Sequence, residues 1–423
     1  MPGALSRRSA LSLLGGGLAV AATGGSGWPA AASGPRTATG PAPEPGSRVG
    51  SLLGRMTLGE KLALLHGAKD PHSLGQAGYT PGVPRLGVPP LRLADGPAGV
   101  RATRHATALP APVLLASAFD PALAREYGRT IGREGRALGQ DVLLSPMVNL
   151  IRTPYAGRNF ETFGEDPLLA SELVAEEVRG VQGEGLIATV KHFAMNNQER
   201  ERESIDVIAD ERTMREMELP GFEAAVRAGA GAVMGAYNKV NGAFAGESRP
   251  LLTGVLREDW GFDGWVMTDW HAAHSAAAAL GAGLDMEMPD GKYFGDALRK
   301  AVADGTVPEA EVDRAAGRVL LEAVFTVRNT GRRAGAEVAQ VYVGPSPDLP
   351  LDQAERALAG FRRIHLRPGQ ARKVTVRLAA RALSAWDSEH HGWVLGTGRR
   401  IVEVGSSSRD PRLRGHIEVR HGA

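Results

Sequence analysis

The sequence predicts a βα barrel followed by a small antiparallel β-sandwich, and two patterns carry that prediction. Between Ser51 and Glu322, short and continuously apolar strands alternate with amphipathic helices at least six times. Strands of that kind are buried on both faces, as in a parallel sheet covered by helices, and a (β/α)8-type barrel takes about 250 residues. Beyond Phe325 the hydrophobic period falls to two and turn residues recur at short intervals, the pattern of a sandwich of about a hundred residues.

In chain order, Thr57 followed by Glu60 is a capping box opening a helix through "MTLGEKLALLHG". "LRLAD" is a strand ending at Asp95 and broken by Gly96-Pro97. Asp120-Pro121 opens a helix through "ALAREYGRTIGREGRALG", and the strand "DVLLSP" follows. Pro167 opens "LLASELVAEEVRGVQG", followed by "LIATVKHF". The same alternation continues through "GFEAAVRAG" and "AVMGAYN", "LLTGVLREDWGF" and "WVMTDW", and "SAAAALGAG" and "LDMEM". A doubly wound sheet is the alternative reading of this alternation. No GxGxxG follows a strand, so nothing points to a dinucleotide.

The first residues are expected to be removed. Arg7-Arg8 precede an apolar run of about a dozen residues, too short to span a bilayer, and Ala30-Ala31-Ala32 supplies a cleavage site. The paired arginines suggest twin-arginine export, although Ala10 and Ser12 depart from that motif. The expected organisation is a signal over 1–33, a Pro/Gly-rich tether over 34–50, the barrel over 51–322 and the sandwich over 323–423. A secreted, periplasmic or cell-surface location follows. The chain has no cysteine, hence no disulfide, and 49 basic against 47 acidic residues leave a net charge of +2. That balance gives no reason to expect nucleic acid or an anionic membrane surface.

Asp95, Lys191-His192, Tyr237 and Asp269-Trp270 all fall at the C-terminal ends of predicted strands, which in a barrel is the catalytic face. An aspartate at a strand–helix junction is ordinarily a helix cap. Carboxylates, a Lys-His pair and aromatic platforms converging on one face nevertheless suit a neutral polyol, meaning a sugar. Carboxylates accept from hydroxyls, cations donate, and indole faces stack on C–H surfaces. His271 and His274 stand three apart without a third ligand at suitable spacing, so neither a metal nor any other cofactor is expected.

"RLGVPPLRLADGPAGVR", "GRNFETFGEDP", "VKHFAMNNQERER", "GAYNKVNG" and "WVMTDW" resemble, in order and spacing, the barrel domain of glycoside hydrolase family 3. The resemblance covers roughly 52–321 and implies a retaining, exo-acting glycosidase of the β-glucosidase branch. It implies that Asp269 is the nucleophile and that Trp270 walls the sugar subsite. Asp95 would take the far hydroxyls, with Arg101, Arg158, Lys191, His192, Arg202 and Tyr237 around it. Lys191 and Arg158 are expected to keep Asp269 ionised at neutral pH. A histidine acid/base loop of the KHFPGHG type is not matched, because Met195-Asn196-Asn197 stand there.

The C-terminal stretch resembles the family's fibronectin-III-like module. An α/β sandwich domain carrying the acid/base glutamate normally separates the two, and here "AAGRVLLEAVFTVRNTG" runs directly from one to the other. A retaining glycosidase needs a second carboxyl group about 5–5.5 Å from the first. Glu161, Glu199, Glu201 and Glu203 lie in barrel loops, but their spacing assigns none of them. Two classes therefore remain: a hydrolase of β-glucosides impaired by the loss, or an exported sugar-binding remnant. A β-xyloside or α-L-arabinoside preference also stays open. Surface left uncovered by the absent domain is expected to favour self-association.

Overall fold

A computed structural model of the chain describes residues 48–322, 337–351, 353–364, 383–405, 409 and 411–419. The expected signal, the tether to residue 47 and the junction 323–336 lie outside these residues. The described residues fall into two compact units, one of 48–322 and one from 337 onward.

The larger unit opens with a helix, Arg48–Leu53, that starts three residues ahead of the expected barrel. The Thr57 capping box forms as anticipated. Thr57 Oγ1 accepts from the Glu60 amide at 3.3 Å, and Glu60 Oε2 accepts from the Thr57 amide at 2.8 Å.

Seven strands make one sheet: β1 (Gly78–Thr80), β2 (Leu91–Asp95), β3 (Val142–Leu144), β4 (Ile187–Phe193), β5 (Ala232–Gly235), β6 (Trp265–Trp270) and β7 (Met286–Met288), hydrogen-bonded in that order. From β2 to β7 every pairing is parallel. The expected (β/α)8-type barrel is corrected in two respects. Its first strand, β1, runs antiparallel to β2, because only a short loop separates them and a parallel pair needs a crossover of a dozen or more residues. The eighth stave is a segment, instead of a strand, tied by two hydrogen bonds to β7 and one to β1. Gly67 donates to Glu287 O at 2.9 Å, Glu287 donates to Leu65 O at 2.9 Å, and Ala68 donates to Tyr79 O at 2.8 Å. The result is a nearly closed, barrel-like sheet. Gly67 is required there, since a Cβ would lie 2.1 Å from Pro289 O.

The strand cores are dry, with Leu93, Val142, Val190, Val233, Val266 and Met286 fully buried. Two long helices cover β3 and β4: α1 (Pro121–Ala137) and α2 (Pro167–Gly183). Each begins with an aspartate whose carboxylate accepts two backbone N–H bonds, Asp120 from Ala122 and Leu123, Asp166 from Leu168 and Leu169. The helices touch backbone to backbone. A Cβ at Gly128 would lie 2.3 Å from Glu177 O, and one at Gly180 2.3 Å from Arg125 O.

The smaller unit has a four-stranded antiparallel sheet of β8 (Glu337–Val343), β9 (Ala357–Ile364), β12 (Gly398–Gly405) and β13 (Pro411–Val419), in the order β9-β8-β12-β13. A hairpin of β10 (Ser384–Asp387) and β11 (Gly392–Leu395) accompanies it. Val341, Val343, Ala359, Leu383, Val402 and Val419 form its core.

Candidate active site

The C-terminal ends of β2, β4, β5 and β6 bring most of the expected residues together. Asp95 is the last residue of β2, and Lys191 and His192 lie near the end of β4. Tyr237 follows β5 by two residues, and Asp269-Trp270 close β6.

Lys191 and His192 are neighbours in sequence, and successive side chains of a regular strand face opposite ways. Here the pairing of β4 with β5 shifts register between Val190 and Phe193. Such an irregularity re-aims side chains beside functional sites, and both residues reach the same site. Lys191 Nζ donates to Asp95 Oδ1 at 3.1 Å, and His192 Nε2 lies 3.3 Å from Asp269 Oδ2. A second shift, between β6 and β7, falls between Met267 and Trp270 and so includes Asp269.

Asp269 is buried. Its Oδ1 accepts from the Trp270 amide at 2.7 Å, and Tyr237 hydrogen-bonds the carboxylate. Burial pushes the carboxyl pKa above its ordinary value, while Lys191, the Trp270 amide, Tyr237 and Arg158 pull it down without cancelling that rise. Lys191 and Arg158 thus favour the ionised form, as expected, but desolvation outweighs them in the net shift. Burial, followed by the charge of Asp269, also pushes the Tyr237 phenol up.

The other groups form two linked networks. Asp95 accepts from Arg101 Nη1 at 2.9 Å as well as from Lys191. Burial raises it, but Lys191 and Arg101 more than offset this and hold the carboxyl below its usual value. Arg158 donates to both oxygens of Glu161, at 3.2 and 2.8 Å, and its Nη1 lies 3.3 Å from His192 Nε2. Glu199 accepts from Arg202 and lies 3.7 Å from Arg158. Arg202 in turn sits over the Tyr237 ring, 4.2 Å from its centre. Burial, then Lys191, Arg158 and Arg202, hold the His192 imidazole well below its ordinary value, so the ring is neutral.

Trp270 is half-buried, with its ring beside Gly78 of β1, where a Cβ would meet Trp270 Cζ2 at 3.3 Å. The histidine pair stays apart from these networks. His274 stacks on Phe244 with ring centres 3.5 Å apart. Sequence reasoning missed Asn149, which grips His192 from behind. It is an asparagine just past β3 with no neighbouring motif, and only the fold reveals its partner.

The site thus gathers a buried carboxylate, an indole beside it, and cationic and phenolic side chains from four strand ends. The glycosyl hydrolase family 3 N-terminal domain matches residues 80–321, and a fibronectin type III-like domain matches 337–408. A beta-glucosidase of Bacteroides ovatus is 43% identical over 324 residues, covering 70% of this chain and 42% of the relative. The thermostable beta-glucosidase B of Acetivibrio thermocellus is 40% identical over 297 residues, covering 67% and 38%. Among solved structures, the beta-glucosidase DesR of Streptomyces venezuelae, in complex with D-glucose, superposes with a TM-score of 0.83. The identity is 24%, covering 88% of this chain and 100% of that one, which is a likeness of fold. The chain belongs to glycosyl hydrolase family 3. It spans about two-fifths of the length of these curated relatives.

Proposed function

We propose that the protein is an exo-acting, retaining glycosidase that takes terminal β-glucosides. The observation that carries this is Asp269, delivered rigidly by β6 beside Trp270 and raised in pKa by burial. In the first step a carboxylate oxygen bonds to the anomeric carbon while the glycosidic bond breaks, its electron pair leaving with the aglycone oxygen. Lys191 and Asp95 would bind the far hydroxyls. The relatives' names as beta-glucosidases favour glucose among the sugars. The N-terminal arginine pair and apolar run support export.

Protonation of the leaving oxygen is the weak step. Glu161 spends both oxygens on Arg158, and Glu199 is held between Arg202 and Arg158. Losing general acid catalysis costs about 10²–10⁴-fold where protonation is needed. Dinitrophenyl glucoside, whose leaving group departs unprotonated, should therefore react while cellobiose barely does. The glycosyl-enzyme should accumulate, and azide should release it as a glycosyl azide. The measurement is turnover of both substrates with and without azide. Ordinary cellobiose turnover without an azide effect would show that a barrel carboxylate supplies the proton. No burst on dinitrophenyl glucoside would leave a sugar-binding protein. Faster release from an aryl xyloside would overturn the choice of glucose.

A further inference from the structure

Asn149 makes a closed pair with the backbone of His192. Its Nδ2 donates to His192 O at 2.9 Å, and its Oδ1 accepts from the His192 amide at 2.8 Å. These two bonds fix which amide atom is oxygen, so the side chain cannot be flipped without losing both. The same Oδ1 lies 3.3 Å from His192 Nδ1. Both residues are buried.

On the other side of the ring, Nε2 lies 3.3 Å from Arg158 Nη1. A guanidinium only donates, and an amide oxygen only accepts. One neutral tautomer satisfies both contacts, with the proton on Nδ1 directed to Asn149 and the lone pair on Nε2 directed to Arg158. That lone pair also faces Asp269 Oδ2 at 3.3 Å. Two oxygens of one carboxylate are then treated differently. Oδ1 is held by the Trp270 amide, whereas His192 offers Oδ2 no proton.

We infer that Asn149 is a positioning residue that holds His192 as the Nδ1–H tautomer, so that Asp269 Oδ2 stays free of a hydrogen bond from the ring and is the oxygen that attacks. The consequence for attack rests on the nucleophile reading above, whereas the tautomer does not. The charged groups facing the ring are Lys191, Arg158, Arg202 and Asp269. An imidazolium here would instead donate from Nε2 to Oδ2 and blunt the nucleophile.

The test is a two-bond proton–nitrogen spectrum of the full chain carrying ¹⁵N-histidine, with the His192 signals assigned from His192→Gln. The expected result at pH 6–8 is a neutral ring protonated on Nδ1. A ring protonated on Nε2, or an imidazolium, overturns the inference. In Asn149→Asp the acceptor is kept, the donor to His192 O is lost, and a charge is placed behind the ring. His192 should then become an imidazolium near neutrality. Labelling by a 2-fluoro dinitrophenyl glucoside should slow about tenfold, equivalent to about 1.4 kcal/mol on the barrier, and recover as pH rises. An Asn149→Asp ring spectrum and pH profile identical to the parent's also overturn it. If Asn149→Asp fails to fold, the parent spectrum decides alone. A parent that shows the Nδ1–H ring but takes no label removes the nucleophile reading and leaves the tautomer assignment standing.

Discussion

Two buried aspartates sit at opposite ends of the β6–β7 pair and are treated in opposite ways. Asp285, at the N-terminal end, accepts from Arg257 at 2.6 Å, Arg314 at 3.2 Å, Arg318 at 3.1 Å and the Val266 amide at 2.9 Å. Asp269, at the C-terminal end, has the Trp270 amide, Tyr237 and, among the described residues, no direct cation partner. The first carboxylate is saturated, and the helix bearing Arg314 and Arg318, Glu309–Glu322, is stapled to the sheet through it. The second stays desolvated and basic. A buried charge that serves structure is fully compensated, and one available for chemistry is left short of partners. Arg257 carries a cost of this arrangement, since burial, only partly offset by Asp285, brings its pKa down to about 9.

Exchanging the roles should break the comparison. Asp269→Asn should lower the rate of covalent labelling by a 2-fluoro glucoside by about 10⁴-fold or more, followed by mass spectrometry. Urea unfolding should show no loss of stability, because the variant removes a poorly solvated charge. Label appearing on another residue would remove Asp269 from the role.

Asp285→Asn should do the reverse. It removes the carboxylate shared by Arg257, Arg314 and Arg318, leaving Arg314 only Glu311, and breaking a buried pair in this way costs about 3–5 kcal/mol. Urea unfolding of the purified chain measures it. A loss below about 1 kcal/mol would put the cluster with surface ion pairs.

Glu177 sharpens the comparison as a buried acid with no ion-pair partner among the described residues. It is fully buried on α2, and burial, only partly offset by Ser145, raises its pKa to about 8. The folded chain therefore holds a proton that the unfolded chain, at the ordinary value of 4.5, gives up. Stability should fall as pH rises from the unfolded value to the folded one, by about 1 kcal/mol per pH unit, and level off above it. Thermal unfolding of Glu177→Gln and its parent at pH 5, 6.5 and 8 should show the variant gaining steadily with pH. A constant difference would mean the carboxyl is not protonated in the fold.

The smallest effect belongs to Thr57, whose cap is exposed to water. Thr57→Ala removes one side of the capping box and should cost about 1 kcal/mol by urea unfolding. It should leave labelling at Asp269 unchanged.

Much of the fold was legible because its signals are local. The caps at Thr57, Asp120 and Asp166, the continuous apolar strands and the change to period two each depend on residues a few positions apart. So did the placement of Asp95, Lys191, Tyr237 and Asp269, since a strand end is a sequence feature. The antiparallel β1 was missed because "GYT" is three residues long and its partner is set by a loop length rather than a pattern. The closure through Leu65–Ala68 was missed for a related reason, because single hydrogen bonds leave no periodicity to read.

By itself, then, the sequence determined which residues end the strands and which family the chain resembles, because short-range chemistry and motif order carry both. Only the tertiary structure decided how those residues meet. The register shift in β4 turns both Lys191 and His192 toward the site, and Asn149, forty-three positions earlier, clasps His192 from behind. Burial, more than any single neighbour, sets the basicity of Asp269. Desolvation is a property of everything packed around a group, and no stretch of sequence contains it.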